Sequence, residues 1–93
     1  MKLSGWGRYP SSECSVTAPR TEADVARAIA RCAGIARGNG RAYGDSALNE
    51  DNTISTRHMN RMTRFDEGTG VLEAEAGVLL GDVIEAYLPR GWF

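Results

Sequence analysis

The sequence predicts an α+β fold, in which a split strand–helix–strand unit is followed by a β-hairpin and a second helix. Apolar residues repeat with a helical period in two segments, near residues 21–33 and 79–88. Short extended segments flank the first helix, and a run rich in turn-forming residues lies at 65–71. With 93 residues, 42% hydrophobic and 25% charged, the chain has the composition of one small globular domain over residues 1–93.

The first strand is predicted at residues 15–18, because the proline that follows favours extended geometry in the residue before it. The returning strand is predicted at residues 35–36. Only Gly34 separates this strand from the first helix, whereas such connections usually take about two to six residues. The sequence therefore predicts either a very short strand or missing residues at this point.

The first helix is predicted over residues 21–33 from its capping residues and its apolar spacing. Thr21 is a suitable N-cap, Asp24 occupies the capping-box position, and Gly34 stops the helix. The predicted buried face consists of Val25, Ala28, Ile29 and Cys32.

The second half of the chain predicts two further strands and a helix. A strand is expected at residues 52–56, and residues 71–76 alternate apolar and acidic side chains as a half-buried strand does. The second helix begins near Leu79 and is ended by Pro89. Its apolar face, which we expect to be core and not a cofactor-binding surface, consists of Leu80, Val83, Ile84, Tyr87 and Leu88.

A glycine-rich run directly follows the returning strand and has the composition of an anion-binding loop. Its glycines at 38, 40 and 44 can adopt positive φ and let main-chain N–H groups approach an anion closely. Tyr43 stands where a dinucleotide fingerprint needs its third glycine, and the run has no lysine of the kind a P-loop requires. The run alone is also compatible with an ordinary glycine-rich turn.

The run at 37–45 resembles the pyrophosphate loop of the FAD-linked oxidases of the vanillyl-alcohol-oxidase type. The likeness extends to residues 5–8 upstream and to residues 75–78 and 88–92 downstream, in the same order. Within that superfamily the chain is most similar to the decaprenylphosphoryl ribose oxidase branch. The resemblance implies that residues 1–93 are the N-terminal part of a PCMH-type FAD-binding domain, with the substrate domain absent.

The resemblance also implies which residues bind the cofactor. Arg41 stands where many relatives have a histidine that bonds covalently to the flavin, so FAD is expected to bind non-covalently. No catalytic residue is expected within the chain, because the family's substrate domain supplies those side chains. The cofactor-binding residues implied by the resemblance are Arg37, Gly38, Asn39, Gly40, Arg41, Ala42, Tyr43, Gly44, Ser46 and Ala47.

The function implied by the resemblance is that of a flavin-dependent oxidoreductase. The family's chemistry is oxidation of an alcohol group of a sugar or sugar derivative by hydride transfer to FAD, on a small-molecule or lipid-linked sugar, with a partner reductase as a further candidate. Two alternatives stay open at this point. One is an aldonolactone or other small-alcohol oxidase of the same superfamily, and the other is a non-catalytic anion-binding or interaction module.

Composition and single residues exclude several other classes. A net charge of −1 provides no basic surface for nucleic acid, and no apolar run reaches the roughly 20 residues of a membrane span, so a cytoplasmic protein is expected. Cys14 and Cys32 lack the spacing of a metal or redox pair, and Cys32 is expected in the core. His58 is expected at the surface, and no metal site is predicted.

The end of the chain carries large aromatic side chains, Trp92 and Phe93. The sequence offers them no evident packing partner, which predicts that the chain is a fragment of a longer protein.

Overall fold

The computed structural model describes residues 1–92, and these residues confirm the α+β class. The expectation for Phe93 lies outside them. The strands are β1 (Lys2–Ser4), β2 (Ser11–Glu13), β3 (Val16–Thr17), β4 (Ile35–Arg37), β5 (Thr53–Ser55), β6 (Met62–Asp66) and β7 (Val71–Ala74). The helices are α1 (Glu22–Arg31) and α2 (Leu80–Tyr87), and a 3₁₀ turn over Leu88–Arg90 follows α2.

The central sheet is parallel, with the strand order β3–β5–β4. Thr53 of β5 lies opposite both Val16 and Ile35, so β5 is inserted between the two strands that α1 connects. This arrangement confirms the split strand–helix–strand unit. It also places the end of β4, where the glycine-rich loop begins, beside the end of β5.

Helix α1 begins as predicted. The Thr21 hydroxyl accepts the N–H of Asp24 at 3.1 Å, while the Asp24 carboxylate accepts the N–H of Arg20 at 3.2 Å. The helix ends at Arg31, earlier than predicted. Residues 32–34 therefore form a connection of ordinary length between α1 and β4. The sequence suggested a connection of one residue because the predicted helix extended two residues too far.

A buried asparagine joins α1 to the sheet. Asn52 is fully buried, and its side-chain amide donates to the carbonyls of Ala28 and Cys32 at 3.0 and 3.2 Å. Its main-chain carbonyl accepts the N–H of Ile35 at 3.0 Å. A Cβ at Gly34 would lie 2.7 Å from the Asn52 amide nitrogen, so this approach requires glycine. Asn52 thus fixes the end of α1 and the start of β4 together.

The predicted buried face of α1 is only partly right. Ala28 is buried and Val25 is half-buried, but Ile29 is 59% exposed and Cys32 is exposed. The strands beneath α1 are two or three residues long, so they cover a narrow stripe of the helix. The expectation that Cys32 lies in the core is wrong, and Cys14 is the buried thiol.

Strands β1 and β2 form an antiparallel hairpin that the sequence pattern does not predict. Both strands are short and mostly polar, so neither shows the alternation that marks a strand. Leu3 and Cys14 are the buried side chains of this region. The N–H of Cys14 donates to the Met1 carbonyl at 2.7 Å and extends the pairing by one residue.

The hairpin of β6 and β7 packs against α2. Its turn spans residues 67–70, as predicted, with Gly70 at φ +78°. Phe65 stacks on Tyr87 with ring centroids 4.2 Å apart, and the Trp92 ring meets Phe65 edge-on at 5.4 Å. Trp92 therefore has a packing partner, contrary to expectation.

The apolar face of α2 is less buried than predicted. Val83 is half-buried like Tyr87, whereas Leu80 is 75% exposed and Ile84 and Leu88 are exposed in part. These residues line an open groove of about 380 Å³ with Phe65, Gly70, Leu72 and Trp92. A two-stranded hairpin is too narrow to cover the whole face.

The role of Asn52 predicts a large loss of stability for Asn52→Ala. The substitution removes both side-chain hydrogen bonds to carbonyls at the end of α1 and opens a cavity, which together cost about 2–4 kcal/mol of the free energy of unfolding. Urea unfolding of the purified protein measures this loss. Asn60→Ala, at an exposed position, is the control and should change the free energy by less than about 0.5 kcal/mol. Equal midpoints for the two variants would contradict the assigned role.

A second prediction concerns the ion pair between Arg61 and Glu75 at the base of the β6–β7 hairpin, where the Arg61 Nε to Glu75 Oε1 distance is 2.8 Å. The side-chain and main-chain hydrogen bonds from Arg61 lower the pKa of Glu75 below its ordinary value. The folded state therefore favours the ionised carboxylate. The resulting stability is present above the ordinary pKa and is lost as the pH falls through the lowered value. Glu75→Gln should make the unfolding midpoint less dependent on pH in acid, and an unchanged acid profile would contradict this interpretation.

Candidate cofactor-binding site

The glycine-rich loop comprises residues 37–52, with the glycines in its first half. It begins at the carboxyl end of β4, as predicted. The Thr56 N–H, just beyond β5, donates to the Arg37 carbonyl at 2.9 Å and fixes the first residue of the loop. At the far end, the Thr53 hydroxyl donates to the Asn49 carbonyl at 2.6 Å, and the Asn49 side chain accepts the N–H of Asn52 at 2.9 Å. The loop is thus a span of irregular chain tied at both ends to β5.

Two glycines of the loop have conformations that other residues rarely adopt. Gly40 has φ +73° and Gly44 has φ +57°, which confirms the expected use of positive φ. Gly38 lacks this constraint, and a Cβ added there would meet no atom within 4 Å. Gly38 therefore faces open space, whereas Gly40 lies over the Arg37 guanidinium, whose Nη2 would be 2.7 Å from an added Cβ.

The main-chain N–H groups of residues 38–45 are the main polar feature of the loop. Among residues 1–92, none of them donates a hydrogen bond to a protein acceptor. A run of unpaired N–H groups with intervening glycines at positive φ is the arrangement that binds anions through the main chain. The loop can therefore donate several hydrogen bonds to phosphate oxygens without using side chains.

A cavity of about 300 Å³ lies beside the start of the loop. Three segments form its walls, namely the loop, the turn after β5 and the chain that enters α2. Its lining residues are Gly38, Asn39, Thr56, Arg57, Asn60, Ala76, Gly77, Val78, Leu79 and Asp82.

Gly77 makes this cavity possible. Its N–H donates to the Met59 carbonyl at 2.8 Å, and a Cβ at this position would overlap the Thr56 carbonyl. Only glycine lets the chain entering α2 pass so close to the turn after β5. The Asp82 carboxylate accepts the N–H of Leu79 at 3.4 Å, which fixes the first turn of α2 at the cavity wall.

The structure separates the predicted cofactor-binding residues into two groups. Gly38 and Asn39 line the cavity, and Arg41, Ala42 and Tyr43 are exposed farther along the loop. Tyr43 is 78% exposed and touches the Trp6 ring edge-on, with centroids 6.0 Å apart.

The other group is engaged within the protein. The Arg37 guanidinium donates to the Ser4 carbonyl at 2.8 Å, the Ser46 hydroxyl donates to the Tyr43 carbonyl at 2.7 Å, and Ala47 is buried. These three residues maintain the shape of the loop. Asp45 does the same through its main-chain carbonyl, which accepts the N–H of Leu48 at 3.1 Å.

The sequence does not predict the polar residues that form the opposite walls, Thr56, Arg57, Asn60 and Asp82. They come from two segments, the turn after β5 and the first turn of α2, which meet the loop only in the fold. Gly77 is the signal that could have indicated the meeting, because a glycine after a strand often marks a close approach of another backbone.

Other kinds of site are not supported. His58 is exposed, as predicted, and no cluster of three or more metal-ligating side chains occurs within residues 1–92. Neither helix of the described chain has the length and apolar character needed to cross a membrane.

The donor set fits the pyrophosphate of a dinucleotide. Such a group carries two negative charges and several acceptor oxygens, and the loop presents main-chain N–H groups with the exposed Arg41 guanidinium nearby in sequence. The open position at Gly38 leaves room for a ligand to approach the backbone.

Comparison with known proteins agrees with this chemistry. A family described as FAD binding domain matches residues 15–93. The chain is also 37% identical over 97 residues to the decaprenylphosphoryl-beta-D-ribose oxidase of Mycolicibacterium smegmatis. That alignment covers 97% of this chain and 21% of the relative, so the chain spans about a fifth of the relative's length. Because the family match includes the split unit, the glycine-rich loop and the cavity walls, the chain belongs to the FAD binding domain family.

Proposed function

We propose that the glycine-rich loop binds the pyrophosphate of FAD through its main-chain N–H groups. The observation that carries the proposal is the run of N–H groups at residues 38–45, which have no protein acceptor within the described chain. The first two residues of the run, Gly38 and Asn39, line a cavity of about 300 Å³. Main-chain donors of this kind suit a phosphate ester because several of them can converge on neighbouring oxygens.

Some residues of the site are proposed to contact FAD, and others are proposed to maintain the conformation of the loop. Gly38, Asn39, Gly40, Ala42 and Gly44 contribute N–H groups and space, while Arg41 and Tyr43 add a charge and a polar ring at the exposed side. Arg37, Ser46 and Ala47 act through the protein contacts described above and keep the loop in shape.

FAD is proposed to bind non-covalently. Covalent attachment at the linking position requires a nucleophilic side chain there, and the loop from 36 to 47 contains no histidine or cysteine. Arg41, which stands at the linking position implied by the resemblance, carries a guanidinium group, which is not a nucleophile.

The proposed reaction of the whole protein is oxidation of an alcohol group of a sugar or sugar derivative. FAD, when bound, accepts the hydride from the alcohol carbon. The relative's name refers to a lipid-linked sugar, which favours that substrate class over an aldonolactone. A partner reductase and a cytoplasmic location stay predictions.

The open position at Gly38 allows a test that spares the fold. The Cβ of a valine at this position would have no protein atom within 4 Å, and the backbone there does not need a positive φ. The valine side chain would, however, occupy space at the cavity. Gly38→Val should therefore lower the flavin content of the purified protein at least about tenfold with little change in thermal stability, an estimate for a steric block at a main-chain site.

Gly7→Val is the matched control, because a Cβ at Gly7 also meets nothing within 4 Å and Gly7 does not line the cavity. The control should keep its flavin. Wild-type flavin content in Gly38→Val would show that this loop does not bind the cofactor.

The mode of attachment has its own test. Acid precipitation of the yellow protein should release all the flavin into the supernatant, because no covalent bond retains it. The measurement is flavin absorbance in the supernatant and in the pellet. Flavin that stays in the pellet on a peptide from residues 36–47 would contradict non-covalent binding.

A further inference from the structure

The β1–β2 hairpin lies before the part of the chain that matches the family, which begins at residue 15. It is nevertheless fastened to the rest of the fold. The N–H of Ser15, just after the hairpin, donates to the Glu50 carbonyl at 2.9 Å, and the Thr53 N–H donates back to the Ser15 carbonyl at 2.9 Å. The base of the hairpin is therefore fixed beside the end of the glycine-rich loop.

The tip of the hairpin touches the middle of the same loop. The Trp6 N–H donates to the Ala42 carbonyl at 2.8 Å, and the Trp6 ring meets Tyr43. Gly5 is buried against the loop so closely that an added Cβ would lie 2.5 Å from the carbonyl oxygens of both Ala42 and Gly44. Main-chain atoms cannot move aside as a flexible side chain can, so Gly5 has to be glycine for this contact.

A third contact joins the hairpin to the start of the loop. The Arg37 guanidinium donates from Nη2 to the Ser4 carbonyl at 2.8 Å, and it lies beneath Gly40. Its Nη1 is buried and has no partner among residues 1–92. The hairpin thus contacts the loop at its first residue and again at residues 42–44.

The loop has little else to define its shape. Its internal hydrogen bonds run from Ser46 to Tyr43 and from Leu48 to Asp45, which leaves residues 38–42 without one. Within the described chain, the bond from Trp6 to Ala42 is the one hydrogen bond between residues 38–45 and any other segment. The conformation of the N–H run therefore depends on the hairpin.

We propose that the β1–β2 hairpin is a positioning element that holds the glycine-rich loop in its FAD-binding conformation, with Gly5 and Trp6 as the positioning residues. The proposal rests on the proposed function. Its physical basis is preorganisation, because the apparent dissociation constant rises as the competent fraction of the loop falls. A loop that is competent about one tenth of the time binds about tenfold more weakly.

Gly5→Ala tests the proposal with two measurements on flavin-free protein. The first is the FAD dissociation constant from a fluorescence titration, which should rise about tenfold as the loop loses its fixed conformation. The second is limited trypsin digestion, in which cleavage after the exposed Arg41 should accelerate relative to cleavage after the exposed Arg57. General destabilisation would accelerate both cleavages alike, so their ratio reports on the loop.

Gly7→Ala is the control, since it adds the same methyl group two residues away in open space and should change neither measurement. If Gly5→Ala does not fold, Trp6→Ala replaces it, because Trp6 is 60% exposed and its removal opens no buried cavity. Trp6→Ala should also raise the FAD dissociation constant and the ratio of cleavage after Arg41 to cleavage after Arg57.

A folded Gly5→Ala or Trp6→Ala variant with a wild-type cleavage ratio and wild-type FAD affinity would overturn the proposal. A changed ratio with no FAD binding by any form, wild type included, would instead overturn the proposed function and the hairpin's role in FAD binding. The effect of the hairpin on loop order would then stand alone.

Discussion

The fold depends on the hydrogen bonds of one buried asparagine. Asn52 receives no solvent, and its hydrogen bonds reach the last turn of α1 and the first residue of β4 at once. The Asn52 Oδ1 is buried without a hydrogen-bond partner among residues 1–92. A buried N–H donor is favourable only when it is paired, and the main-chain carbonyl of the same residue holds β4, so the positions of the helix end and of the strand cannot vary independently. The glycine-rich loop starts at the end of that strand. The place at which its N–H groups emerge is therefore set by a residue at the other end of the loop, through both its side chain and its main-chain carbonyl.

The candidate site follows from a contrast between its borders and its interior. The segments that border the site are fixed by close backbone contacts at Gly5, Gly34 and Gly77, and each of these contacts leaves no room for a side chain. Its interior, from residue 38 to 45, has unpaired N–H groups and few internal bonds. Such a loop is poorly stabilised by itself and well suited to an anionic ligand that completes its hydrogen bonding. Because the proposed phosphate contacts are main-chain N–H groups, Asn39 and Ala42, which bring no charge, are compatible with that role.

Local signals predicted the fold well, and non-local burial was harder to predict. The N-cap at Thr21, the positive φ of Gly40 and Gly44 and the turn at Gly70 are encoded by residues within a few positions of each other. The β1–β2 hairpin is too short and polar to show a strand pattern. The exposure of Cys32, which was expected in the core, reflects how little of α1 the narrow sheet can cover. Of the site, the glycine-rich loop was visible in the sequence, whereas the opposite cavity walls arise only when the turn after β5 and the chain entering α2 come together.

The exposure of Cys32 has a practical consequence. Its thiol is exposed and lies at the end of α1, while the Cys14 thiol is buried and donates to the Ser12 carbonyl. Alkylating reagents reach an exposed thiol far faster than a buried one. A fluorophore can thus be attached at Cys32 of this chain without entering the glycine-rich loop. The emission of the fluorophore would report on conformational change at the end of α1. Energy transfer from the fluorophore to a bound flavin would give the distance between Cys32 and the flavin.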